Sequence, residues 1–194
     1  IALVCSGGGY RAMFATCGTM QGAYETRVWD ALSYVVGLSG STWAIAPYMV
    51  GNVSVSEFVQ KAIDNGSKSF KEFYNNMKNA RELLREQLLQ RLSFQQTLSL
   101  IDLYGFMLAQ ALLRGPVKGS DDMASSHQVT LVNQQNAVAD GSDPFPIYTA
   151  VVGQTGSVEQ RTAYSWLFFT PYEVGSQEYG GYVPSWAFGR TYNQ

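Results

Sequence analysis

Residues 32–43 read LSYVVGLSGSTW. An apolar run, Leu32 to Leu38, has the continuous hydrophobicity of a strand buried inside a parallel sheet. It stops at Gly37-Leu38-Ser39-Gly40-Ser41. From Thr42 to Val50 the pattern is helical, with Pro47 expected to end or kink the helix. A Gly/Ser turn between a buried strand and a helix matches G-x-S-x-G, the sharp elbow that lifts a nucleophilic serine out of a sheet. The last position is Ser41 where the general pattern has glycine. Taken alone, the turn is equally compatible with an ordinary Gly/Ser-rich helix start.

Upstream, residues 1–13 read IALVCSGGGYRAM. Ile1 to Cys5 is a second apolar run, expected as a strand buried on both faces. Three glycines follow, then a helical stretch from Arg11 to Arg27. The first fifty residues are therefore strand, turn, helix, strand, turn, helix. A βαβ unit of this kind places two parallel strands side by side, with both strand ends at one sheet edge.

Gly7 to Ala12 satisfies G-x-G-x-x-[GA] between a strand and a helix, as in a dinucleotide-binding turn. That fold also requires an acidic residue at the end of the second strand. Here that place holds Ser39, and Asp30 comes before the strand. A nucleotide-binding module using Gly7–Gly9 thus meets its first requirement and misses its second. With both turns at one edge, the glycine amides can instead face the carbon attacked by Ser39. Acyl transfer needs that pairing of a nucleophile with preorganised N–H donors. Arg11 in the first helical turn opposes the helix dipole. Either a bound anion such as a substrate phosphate or a structural salt bridge accounts for it.

The chain has 194 residues, 46% of them hydrophobic and 14% charged, which suits one globular domain with a real core. A net charge of −2 argues against a general nucleic-acid binder. Cys5 and Cys17 are too few and wrongly spaced for a disulfide framework or a metal site, and read as buried thiols of a reducing compartment. Two glycosylation triplets, at Asn52 and Asn65, are short enough to arise by chance. In the middle of the chain, NARELLREQLLQRL (79–92) aligns Ala80, Leu84, Leu88 and Leu92 on one face of a helix expected to pack on the domain. TLSLIDLYGFMLAQALL (97–113) contains Asp102 and is short for a membrane span, so a core helix is expected. Residues 115–127 read as a loop and 140–146 as a turn. Strand-like runs follow at Ile147–Val152 and Ala163–Thr170. The Gly- and Tyr-rich stretch from Pro171 to Arg190 reads as irregular structure near an active face.

SGGGYRAM together with GLSGSTW resembles the catalytic domain of the cytosolic phospholipase A2 family and the fungal lysophospholipases (phospholipase B), among the patatin-like serine acyl hydrolases. Ser39 follows Arg11 by 28 residues, as in that family, and DPFPIYTAVV (143–152) and FTPYEVGS (169–176) are similar too. The resemblance implies an α/β fold of three layers around a mostly parallel central sheet. It implies hydrolysis of fatty-acyl esters of glycerophospholipids or lysophospholipids through a Ser-Asp dyad. Ser39 would be the nucleophile, Gly8 and Gly9 the oxyanion hole, and Arg11 the phosphate contact, with no metal or cofactor at the catalytic centre. A cytoplasmic protein in peripheral contact with membranes is implied as well. No match to the dyad aspartate appears before Gln194. Asp140-Gly141 precedes FTPYEVGS and reads as a turn, and His127, the single histidine, sits in a polar loop. With Ile1 opening inside a strand and FGRTYNQ closing without an element, residues 1–194 are expected to be a partial catalytic domain truncated at both ends, inactive alone. A non-catalytic lipid-binding relative is the remaining alternative.

Overall fold

The computed structural model describes residues 1–51, 53–67, 81–93, 96–112, 130–154 and 163–189. Strand β1 (Ala2–Cys5) leads through the glycines into helix α1 (Gly9–Glu25). Strand β2 (Tyr34–Leu38) leads through a 3-10 turn (Ser39–Ser41) into α2 (Thr42–Gly51). Helices α3 (Val55–Gly66), α4 (Arg81–Ser93) and α5 (Leu100–Leu112) follow. Strands β3 (Phe145–Gln154), β4 (Ala163–Phe169), β5 (Glu173–Ser176) and β6 (Gly181–Pro184) complete a six-stranded sheet in the order β1-β2-β3-β4-β5-β6.

The α/β class is the one expected. The sheet is mixed, however, and not mostly parallel. β1, β2 and β3 run parallel, and the ladders from β3 to β6 are antiparallel. The parallel part is the part joined by helices. Short turns join β4, β5 and β6, and a short turn can only reverse a strand. The stretch expected to be irregular, 171–190, supplies the β5–β6 hairpin. It lies at the opposite edge of the sheet from the glycine loop.

The core forms where the apolar faces of α1, α2 and α3 meet one face of the sheet. Met13, Cys17 and Met20 recur on one side of α1 and are buried. They pack with Val35 of β2, Ala44, Ile45, Tyr48 and Met49 of α2, Val55, Phe58 and Ala62 of α3, and Tyr148 of β3. Burying a large apolar side chain contributes about 1.5–3 kcal/mol, so these positions dominate the stability of this half of the chain. Pro47 is buried inside α2 and does not end it. Helix α3 is capped by Ser54, whose Oγ accepts the Glu57 N–H at 3.2 Å.

The opposite face of the sheet is partly uncovered among the described residues. Register places Val4 beside Val36 and Leu3 beside Val35. Leu3 packs on the core, whereas Val4 is 72% exposed. Tyr34, Val151, Trp166, Tyr164 and Tyr182 share the face of Val4 through the ladders and are likewise exposed. The expectation that β1 is buried on both faces is therefore not met. Among the described residues β1 is also the edge strand, with β2 on one side.

Helices form where expected at 81–93 and 100–112, but their packing differs from expectation. Leu89 and Leu92 of α4 are each 53% exposed, and Leu100 at the start of α5 is 84% exposed. Only the inner part of α5 reaches the interior, through Phe106, Leu108 and Gln110. The two helices are tied by Arg91, whose Nη1 donates to Asp102 Oδ1 at 2.8 Å. Asp102 also accepts the Ser99 N–H at 2.7 Å, which caps α5. No helix among the described residues is long and apolar enough to cross a membrane. The loop expected at 115–127, with His127, lies outside the described residues.

Candidate active site

β1 and β2 end side by side, with Cys5 opposite Gly37. Parallel strands point their C-terminal ends the same way, so the Gly7–Gly9 loop and the Ser39 turn emerge at one edge. The sequence demands glycine at each close approach here. A Cβ on Gly7 would lie 3.0 Å from Ser39 Cβ and 3.6 Å from Ser39 Oγ, so the loop runs directly beside the serine side chain. A Cβ on Gly40 would overlap the backbone of Gly9, so the two turns touch main chain to main chain. Gly8 and Gly9 have φ of 143° and 61°, values that favour glycine.

Ser39 has φ of 53°. Among the described residues, Arg27 is the other non-glycine with a positive φ. A left-handed backbone at a strand-to-helix turn is compatible with the sharp elbow that the sequence pattern suggests. The residue is solvent-exposed, unlike its buried neighbours Gly40 and Ser41. The Thr42 hydroxyl donates to the Ser39 carbonyl oxygen and holds the turn from the helix side. On the strand side, Thr149 Oγ1 donates to Gly37 O at 3.0 Å and ties β3 to the end of β2.

Two helix N-termini converge on this point. α1 starts at Gly9, and α2 starts at Thr42 directly after the Ser39 turn. Neither carries an acidic residue in its first turn. Their free N–H groups and dipoles favour negative charge at this edge. Arg11 is exposed and makes no ion pair among the described residues, which leaves the salt-bridge reading without a partner there. It lines a cleft of about 440 Å³ with Ser6, Gly7, Gly8, Ala12 and Thr16. Ser39 lies across Gly7 from that cleft and is not one of its walls.

Two clusters were not singled out by their spacing in the sequence, one at the two helix starts and one at the other end of the parallel strands. Tyr10 and Trp43, one from each helix start, meet edge to face with ring centroids 5.7 Å apart. Asp143 takes two hydrogen bonds on Oδ1, from Trp29 Nε1 at 3.1 Å and Tyr48 Oη at 2.6 Å. It thereby pins α2 to the loop that enters β3. Burial and the nearby Asp143 carboxylate push the Tyr48 hydroxyl far above its ordinary pKa, so it stays a donor. The Asp143 signal was hidden because its partners are 95 and 114 residues away.

The remaining candidates fall out simply. Asp140 is exposed and accepts the Ser142 N–H at 3.0 Å, and Gly141 has φ of 73°, so Asp140-Gly141 is the turn expected. Cys5 and Cys17 are free thiols, Cys17 buried and Cys5 half-buried. Burial pushes the Cys17 thiol up to about 11 and also raises Cys5, so neither is a thiolate at neutral pH.

Comparison with known proteins places this geometry. Residues 1–194 match the family described as lysophospholipase catalytic domain. Human cytosolic phospholipase A2 zeta is 33% identical over 97% of this chain, and mouse cytosolic phospholipase A2 delta is 31% identical over 99%. The chain spans 21% and 22% of those proteins. Among solved structures, human GIVD cytosolic phospholipase A2 superposes with a TM-score of 0.76 at 25% identity, over 95% of this chain and 24% of that one. The same protein in complex with methyl gamma-linolenyl fluorophosphonate also superposes, with a TM-score of 0.71.

Proposed function

Since the chain belongs to the lysophospholipase catalytic-domain family, we propose that it carries the nucleophile and oxyanion-binding elements of a serine hydrolase of glycerophospholipids or lysophospholipids. The observation that carries this reading is the left-handed backbone of Ser39 at the strand-to-helix turn, with Gly7 against its side chain. Ser39 Oγ attacks the ester carbonyl carbon and loses its proton to a base. The carbonyl oxygen becomes an oxyanion, held by the N–H groups of Gly8 and Gly9 and by the two helix N-termini. Collapse breaks the bond to the alcohol, which leaves with a proton as the lysolipid or glycerophosphoryl product. Water then attacks the acyl-serine, releases the fatty acid and restores Ser39.

The base in this reading is an aspartate supplied from outside the present sequence, forming a Ser-Asp dyad. The 194-residue chain alone is then inactive. Arg11 binds the lipid phosphate, consistent with its exposed guanidinium beside the glycine loop, which makes no ion pair among the described residues. Metal or cofactor assistance is not part of this scheme. The relatives are named cytosolic phospholipases A2 and the substrate resides in bilayers, which supports a cytoplasmic protein in peripheral contact with a membrane surface.

A fluorophosphonate probe applied to the catalytically competent protein tests the assignment. Labelling should map to Ser39 and vanish in Ser39→Ala. Labelling that persists in that variant removes Ser39 from its role. Protein that never reacts and never hydrolyses lipid supports the non-catalytic relative instead. Arg11→Ala should lower phospholipid turnover by about 10- to 100-fold, the equivalent of one lost charge-assisted hydrogen bond, and leave an uncharged ester nearly unaffected. Equal losses on both substrates would show that Arg11 does not read the phosphate.

A further inference from the structure

Ser41 stands where the general elbow pattern has glycine, and its surroundings explain why a hydroxyl is there. The residue is 0% exposed. Its Oγ accepts the Leu38 N–H at 2.8 Å. Its single proton has two carbonyl oxygens in reach, Cys5 O at 3.1 Å and Leu38 O at 2.9 Å. Cys5 is the last residue of β1 and leads into the glycine loop. Leu38 is the last residue of β2 and carries Ser39.

The strand-to-strand register between β1 and β2 ends at Cys5 and Gly37. Beyond that pair the two chains diverge, one toward the amides and the other toward the serine. The Ser41 hydroxyl bridges them one step past the end of the ladder. Gly37 leaves it room: a Cβ there would lie 3.3 Å from Ser41 Oγ, a tight contact, and 2.9 Å from Ile45 Cδ1. The cross-link therefore joins the base of the glycine loop to the base of the nucleophile turn.

We propose that Ser41 is a positioning residue of the hydrolytic reaction, its buried hydroxyl fixing the spacing between the Gly8 and Gly9 amides and Ser39 Oγ. The inference rests on the reading of Ser39 as nucleophile. Ser41 itself touches no substrate. An oxyanion hole works only when its donors sit at hydrogen-bond distance from the position where charge develops. A shift of about 1 Å between nucleophile and donors lowers the rate by up to about 100-fold. Ser39 also holds a strained backbone, which persists only where neighbours restrain it on both sides.

The test uses Ser41→Ala and Ser41→Cys in the catalytically competent protein. Reactive sites are counted by stoichiometric fluorophosphonate titration, and kcat and KM are expressed per titrated site. The second-order rate of phosphonylation and the Tm are measured alongside. In Ser41→Ala, kcat per site and the phosphonylation rate should fall together by about 10- to 100-fold, with KM within about twofold. Ser41→Cys keeps the shape with a somewhat larger atom that is a weaker donor and acceptor, and should fall in between. A role confined to folding would lower Tm and the number of sites and leave the rate per site intact. That result in Ser41→Ala overturns the proposal, and Ser41→Cys decides by the same criterion if the alanine variant does not fold. Fragmentation of the labelled peptide separates the two readings. Full speed with the label on Ser39 removes Ser41 alone, whereas a label elsewhere removes the nucleophile assignment.

Discussion

At the scale of the residue, the site depends on atoms that are missing as much as on those present. Gly40 is buried against the Gly9 backbone, and even a methyl group there has nowhere to go. Gly40→Ala should cost about 1–3 kcal/mol through overpacking, read by urea denaturation, and should slow phosphonylation of the serine because the glycine loop must move away. Unchanged stability would mean the two turns do not touch. The strand-to-helix turns that hold Gly8, Gly9, Arg11 and Ser39 were legible in the sequence because each is a short motif whose geometry is local. The Ser41 hydroxyl and Asp143 were not. Ser41 reaches Cys5 across 36 residues, and Asp143 reaches Trp29 across 114. Nothing in local spacing reports a hydrogen bond that only the folded sheet creates.

At the scale of the element, the same distinction separates what formed from how it packs. Every helix and strand singled out within the described residues appears within a few positions, because period and punctuation are local properties. The β5–β6 hairpin was missed because its glycines and tyrosines carry no clean alternation. Asp143 ties Trp29, and Tyr48 of α2, to the entry of β3. Asp143→Ala should destabilise the fold by about 2–4 kcal/mol, since it strands two donors that share a charged acceptor; a loss below about 0.5 kcal/mol in denaturant titration would make the contact incidental. The α4–α5 junction carries a pH response. The Ser99 N–H, followed by Arg91, holds the Asp102 carboxyl below its ordinary value of 3.8. A carboxyl depressed in the folded state stabilises above its ordinary pKa and loses that contribution as pH falls through the lowered value. Circular dichroism should therefore show helix lost on acidification below about pH 4, and Asp102→Asn should flatten this part of the acid response.

At the scale of the molecule, the continuous apolar character of β1 was read correctly as a pattern and incorrectly as burial. Hydropathy tells which faces avoid water, and the chain in hand covers one of them. Val4, Tyr34, Val151, Tyr164 and Trp166 lie on the other, so the 194-residue chain by itself should bind a hydrophobic dye and self-associate on sizing columns. A monomeric, dye-silent chain would show that this face is sealed. The left-handed backbone of Ser39 bears on the whole fold in a different currency, thermodynamic stability. A side chain in that conformation costs on the order of 1–2 kcal/mol, and glycine escapes the penalty. Ser39→Gly should consequently be more stable than Ser39→Ala by about 1 kcal/mol in denaturant titration, although the proposed mechanism has both lose the nucleophile. If Ser39 is the nucleophile proposed above, the fold carries that small instability in every copy as the cost of holding the serine in its turn.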